Sequence, residues 1–141
     1  MKRFDFGPLQ KVLNLREFRE NECKNELGKA IGILAEIENK IKETAVKRHG
    51  AAAQRFTDPL QMPVWDNYII RLDRQAQNLT EQAAKAEIVV EEKRAEYLEA
   101  YKELKAIEKL KEKRLTGYKK EISDYRDAEA DDLASARQLA Q

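Results

Sequence analysis

The chain has one cysteine, three prolines, five glycines and one histidine in 141 residues. A lone Cys23 excludes an internal disulfide and suits a cytosolic compartment. A lone His49, with no cysteine or second histidine near it in the sequence, offers no metal-ligand spacing and reads as a solvated residue near a helix end. No uncharged stretch reaches ten residues, so no segment is apolar enough to span a bilayer. Lys2 and Arg3 are not followed by an apolar run, which argues against a secretory signal. The chain lacks a glycine-rich phosphate loop, a nucleophile elbow and an HExxH motif. Two helices alone also offer no concave pocket, so an enzyme is not expected and no cofactor is implied.

An excess of either charge is missing as well. Twenty-seven basic residues meet 26 acidic ones, for a net charge of +1. Nucleic acid is therefore not expected as a partner, because phosphate binding needs a basic excess on one face. The lysines and arginine at Lys109, Lys111, Lys113 and Arg114, with Lys119 and Lys120 beyond, are balanced by Glu108, Glu112 and Glu121 and read as a solvated helix face. Likewise Glu91, Glu92, Glu96 and Glu99 stand at helical spacing from Lys93, Arg94 and Lys102, fit for surface pairs.

What the chain does have is charge in bulk and a narrow apolar line. Charged residues make up 38%, against roughly 25% in an average globular domain. From Ile69 the line runs through Leu72, Ala76, Leu79, Ala83, Ala86, Val90, Lys93, Tyr97, Ala100 and Leu104 to Ile107. Its steps alternate three and four residues, and only Lys93 is not apolar. Such a stripe is too narrow for the wall of a globular core; it is the seam along which one long helix packs on another. A second seam runs through Leu27, Ala30, Leu34, Ile37, Ile41 and Thr44. Upstream of it Leu9, Val12, Leu13, Leu15 and Phe18 keep a looser register. Gly28 and Gly32 fit either a close helix–helix approach or an exposed face.

The segment Phe56-Thr-Asp-Pro-Leu-Gln-Met-Pro63 interrupts the pattern with two prolines. The expected fold is all-α: a long antiparallel two-helix coiled-coil hairpin forming a single domain. Helix one covers about residues 8–55, opening at Gly7-Pro8, with Phe6 folded back on Val12. The turn covers about 56–63, and helix two about 64–139, with Asp66 as a candidate N-cap or Pro63 in the first turn. At about 1.5 Å per residue the helices would measure roughly 65–70 Å and 115 Å. With the turn centred near Leu60, residue i faces about residue 122 − i, and helix two continues past its partner after about Arg114. Near that point the apolar line slips by one four-residue step, giving Leu115, Tyr118, Ile122 and Tyr125. Nothing in the chain is expected to cover that line, which suits a protein partner.

Three segments resemble a known family. Phe4-Asp-Phe6-Gly-Pro-Leu9-Gln10-Lys-Val12-Leu13-Asn-Leu15-Arg16-Glu17 resembles the opening of the flagellar FliJ proteins. Trp65-Asp-Asn67-Tyr68-Ile-Ile-Arg-Leu72 resembles the opening of their second helix. Glu108-Lys-Leu110-Lys-Glu-Lys-Arg114, Tyr118 and Ala128-Glu129-Ala-Asp131-Asp132-Leu-Ala134 resemble their C-terminal third. The Gly7-Pro8 pair departs from the pattern. The resemblance implies a component of flagellar type III export, cytoplasmic and peripherally associated with the inner membrane at the flagellar base. It further implies a stalk that binds the hexameric export ATPase, contacts the export-gate membrane protein and helps recycle substrate-specific export chaperones. On that reading Leu115, Tyr118, Ile122 and Tyr125, with Phe4, Phe6, Leu9 and Leu13, would serve the ATPase ring. Ile41, Tyr68 and Leu72 would serve the gate, although Ile41 and Leu72 also fit the seam. A monomer is expected when free. The alternatives are the equivalent stalk of a virulence secretion system, a general helical-hairpin chaperone, and a homo-oligomeric coiled coil.

Overall fold

A computed structural model describes residues 7–140. Among them there is no strand, and the fold is an all-α hairpin of two long helices packed on each other. Helix α1 spans Gly7–Gln54 and helix α2 spans Met62–Leu139. Pro8 stands in the first turn of α1, where its missing N–H removes no helical bond. The expected contact of Phe6 with Val12 lies outside the described residues.

The turn is made by local hydrogen bonds. Both the Thr57 N–H and its hydroxyl donate to the Gln54 carbonyl, at 3.1 and 2.7 Å. Asp58 is extended (φ −140°, ψ 115°), as the residue before a proline prefers. Its carboxylate accepts from the Leu60 N–H at 3.0 Å and caps a short 3-10 turn, Pro59–Gln61, that runs directly into α2. Asp58 followed by Pro59 is thus the start signal, and Asp66 is not the cap. By Asp66 the chain is already helical, which leaves that carboxylate free to meet Arg55. Pro63 does stand in the first turn of α2.

Two compact units can be distinguished among the described residues: residues 21–98, and residues 7–20 with 99–140. In the first, Ala30, Thr44, Ala51, Leu72, Leu79 and Val90 are buried. The pairing is marked by Arg48 with Asp73, Arg55 with Asp66 and Glu26 with Lys93. In the second, Leu9, Leu13, Ala100 and Leu104 are buried, and Gln10 meets Lys111. Arg16 and Arg19 both reach Glu103 there, at 3.0 and 2.7 Å. Within each unit residue i of α1 faces about residue 121 − i of α2, one residue from the expected register.

All twelve positions of the α2 line from Ile69 to Ile107 are buried or half-buried. The seam of α1 proves longer than its apolar residues suggest. Alternating steps carry it back from Leu27 through Cys23, Glu20, Arg16 and Leu13 to Leu9, each at least half-buried. The looser register expected upstream is therefore corrected: Val12, Leu15 and Phe18 lie off the seam and are exposed. The long stems of Arg16 and Glu20 line the seam while their charged ends stay hydrated or paired. Gly28 and Gly32 make no close helix contact within the chain, since a Cβ at either would meet nothing within 4 Å.

Candidate functional site

The strongest candidate surface lies on the last part of α2. Helix α1 begins at Gly7, and the pairing relation sets that start opposite about residue 114. Past this point no described residue of α1 remains to face α2. The burial pattern shifts there as the sequence implies. Arg114 is exposed, whereas Leu115, Tyr118 and Ile122 are half-buried. Tyr125 is 60% exposed, and every described residue from Ser123 onward is exposed, including Leu133 and Leu139.

The other residues expected at this site divide. Leu9 and Leu13 are buried between the helices, so they hold α1 against α2 instead of offering a surface. Phe4 and Phe6 lie outside the described residues. Leu15 and Phe18, 68% and 67% exposed, supply apolar surface on α1 that the sequence reading did not single out. Carrying the seam's alternating steps back through Arg16 and Glu20 would have found them by elimination.

Of the residues near the turn, Leu72 is only 4% exposed and belongs to the core. Ile41 is half-buried in the α1 seam. Tyr68 is also half-buried and packs edge-to-face on Trp65, with ring centroids 6.1 Å apart. Other apolar residues of the turn region are more accessible: Phe56 is 71% exposed, and Leu60, Val64 and Ile70 are exposed as well. The Arg55 guanidinium lies 5.3 Å from the centre of the Phe56 ring.

The electrostatics are those of paired surface charges. A hydrogen bond to Glu26, then the charges of Glu26 and Glu96, raise the Lys93 pKa above its ordinary value. Glu108 does the same for Lys105, and Asp73 for Arg48. Among the described residues no group of three His, Cys, Asp or Glu side chains could hold a metal ion. No helix of the described chain is long and apolar enough to cross a membrane. Cys23 is a free, half-buried thiol.

The model of the family described as "Flagellar FliJ protein" matches residues 5–141. The chain belongs to the FliJ family. No curated protein and no solved structure matches it. As a FliJ family member it is a flagellar type III export-related protein, and its partners belong to that export system.

Proposed function

We propose that the chain is a stalk-like adaptor of flagellar export that works without catalysing a reaction. The end of α2 enters the central opening of the hexameric export ATPase, and the part nearer the turn contacts the membrane export gate. The protein assists recycling of substrate-specific export chaperones and acts in the cytoplasm, against the inner membrane at the flagellar base. One observation carries this reading: the apolar line of α2 continues beyond the start of α1, through Leu115, Tyr118 and Ile122, and ends in the exposed side chain of Tyr125. A helix that carries apolar side chains past its partner and exposes the last of them is suited to a ring that surrounds it. Family membership favours the flagellar system over a virulence one.

The test is ATP hydrolysis by the partner hexamer with the full chain and with a chain truncated after Arg114. The full chain stimulates hydrolysis and the truncated chain does not; equal stimulation rejects the assignment. For the gate, Tyr68→Ala should weaken binding while lowering the melting temperature by about 4 °C or less, the scale of a roughly 1 kcal/mol loss. A large loss of helicity would make Tyr68 a packing residue only.

A further inference from the structure

We infer that the outward side of α2 between Lys102 and Lys120 is a docking surface for an anionic lipid bilayer. Such a surface gives a physical cause to the membrane location proposed above, and it does not depend on the ring or the gate.

The seam defines this side. Ala100, Leu104, Ile107, Lys111, Leu115, Tyr118 and Ile122 are buried or half-buried and mark the inward side of α2. Residues midway between successive seam positions point the opposite way. Lys102, Lys109, Lys113 and Lys120 stand midway, and each is exposed. Within the three-residue steps, Lys105, Ala106, Thr116 and Gly117 complete the outward side, and they too are exposed. This side therefore carries five lysines and no carboxylate, over about 27 Å of helix.

The acidic residues of the stretch lie at its flanks. Glu103 adjoins Leu104 and is held by Arg16 and Arg19 of α1. Glu108 adjoins Ile107 and pairs with Lys105 at 2.9 Å. Glu112 adjoins Lys111. Lys102, Lys109, Lys113 and Lys120 take part in no ion pair among the described residues. Glu99 and Asp124 bound the lysine block at its two ends. Over residues 102–120 seven lysines and one arginine meet three glutamates, so a basic block stands inside a chain of nearly balanced charge. The balance legible in the sequence is thus a balance around the helix, and it does not hold on the outward side.

The composition of this side selects the occupant. A partner helix needs an apolar stripe to pack on, and the uncharged residues here are only Ala106, Thr116 and Gly117. No arginine or aromatic residue stands among the outward positions, so nothing there forks onto a phosphodiester or stacks on a base. A plane of anionic headgroups asks for neither; it attracts a straight row of lysines at about fivefold in affinity for each one held near it. Lys102, Lys105 and Lys109 precede the start of α1 in the pairing, so bilayer contact at these three leaves the end of α2 free.

The test mixes the full chain with vesicles of phosphatidylcholine containing about one-third phosphatidylglycerol, or of phosphatidylcholine alone, and reads binding by co-sedimentation. Binding to the anionic vesicles is at least about tenfold tighter and is lost as salt rises from about 0.05 to 0.5 M. Lys102→Gln with Lys109→Gln weakens it at least about tenfold, with helicity retained. Lys24→Gln with Lys29→Gln, the same charge change on exposed residues of the other unit, alters it less than about twofold. Equal binding to the two kinds of vesicle, or equal weakening by the two double variants, overturns the proposal. So does preferential capture of a DNA duplex or a glutamate-rich helical peptide over the anionic vesicles at equal charge concentration, because the occupant would then be a nucleic acid or an acidic protein segment. The assay contains neither the hexamer nor the gate, so its failure is distinct from failure of the ring reading.

Discussion

Lys93, the only charged residue in the apolar line of α2, holds its Nζ 3.2 Å from a carboxylate oxygen of Glu26 on α1. The contact answers the one irregularity of the seam. It leaves the ammonium at the edge of the interface, half-covered and bonded, where a buried unpaired lysine would be costly. Because the pair remains partly exposed, its worth is that of a surface ion pair. Lys93→Leu should therefore raise the stability of the chain slightly, through added apolar burial at little electrostatic cost. Urea denaturation of the full chain measures it, and a clear loss of stability would show the pair to be stronger than a surface ion pair.

The direction of the Lys93 shift fixes a pH dependence. Its folded pKa is raised, chiefly by the hydrogen bond to Glu26. The contribution is fully present below the unfolded value, about 10.4, and disappears as pH rises through the folded value. The stability difference between the native chain and Lys93→Met should stay constant from about pH 7 to 9 and shrink only above about 10.4. A difference that already falls near neutral pH contradicts this origin.

Ala100 has no exposed surface, and Leu104 beside it in the seam is 7% exposed. Leu104→Ala should cost about 2 kcal/mol or more, and Ala100→Leu about 1–3 kcal/mol through overpacking. Leu98, 48% exposed, should tolerate alanine to within about 0.5 kcal/mol. Chemical denaturation of the three variants gives the ranking, and equal losses at Leu98 and Leu104 would contradict the burial pattern.

Gly28→Ala and Gly32→Ala should each stabilise the chain by about 0.5–1 kcal/mol, since the added methyl groups meet nothing. Destabilisation of either variant, measured by thermal or urea unfolding, would mean that the added methyl group meets a neighbour and would contradict the open space here.

Asp58→Ala should cost about 1 kcal/mol by leaving the Leu60 N–H without its cap. Asp66→Ala should cost less than about 1 kcal/mol, because it removes only a surface partner of Arg55. The reverse order of melting temperatures would mean that Asp66 starts α2.

Much of this protein follows from the sequence alone. The helices, the turn and the register within a residue are legible because the alternation of three and four is a one-dimensional property of the chain, visible wherever the seam is apolar. The slip after Lys111 is legible for the same reason, and so is the continuation of the apolar line to Tyr125, although Leu115, Tyr118 and Ile122 on it are half-buried and not bare. The pattern is not legible where a seam position is filled by polar residues, at Arg16 and Glu20, or where two aspartates, Asp58 and Asp66, compete to start a helix. Those outcomes depend on what stands across the interface. Glu103 lies within reach of both Arg16 and Arg19. Arg55 takes Asp66, while Asp58 is left to cap. Only the tertiary structure brings such partners together, because a charge has no periodicity of its own and its role is set by its neighbour in space.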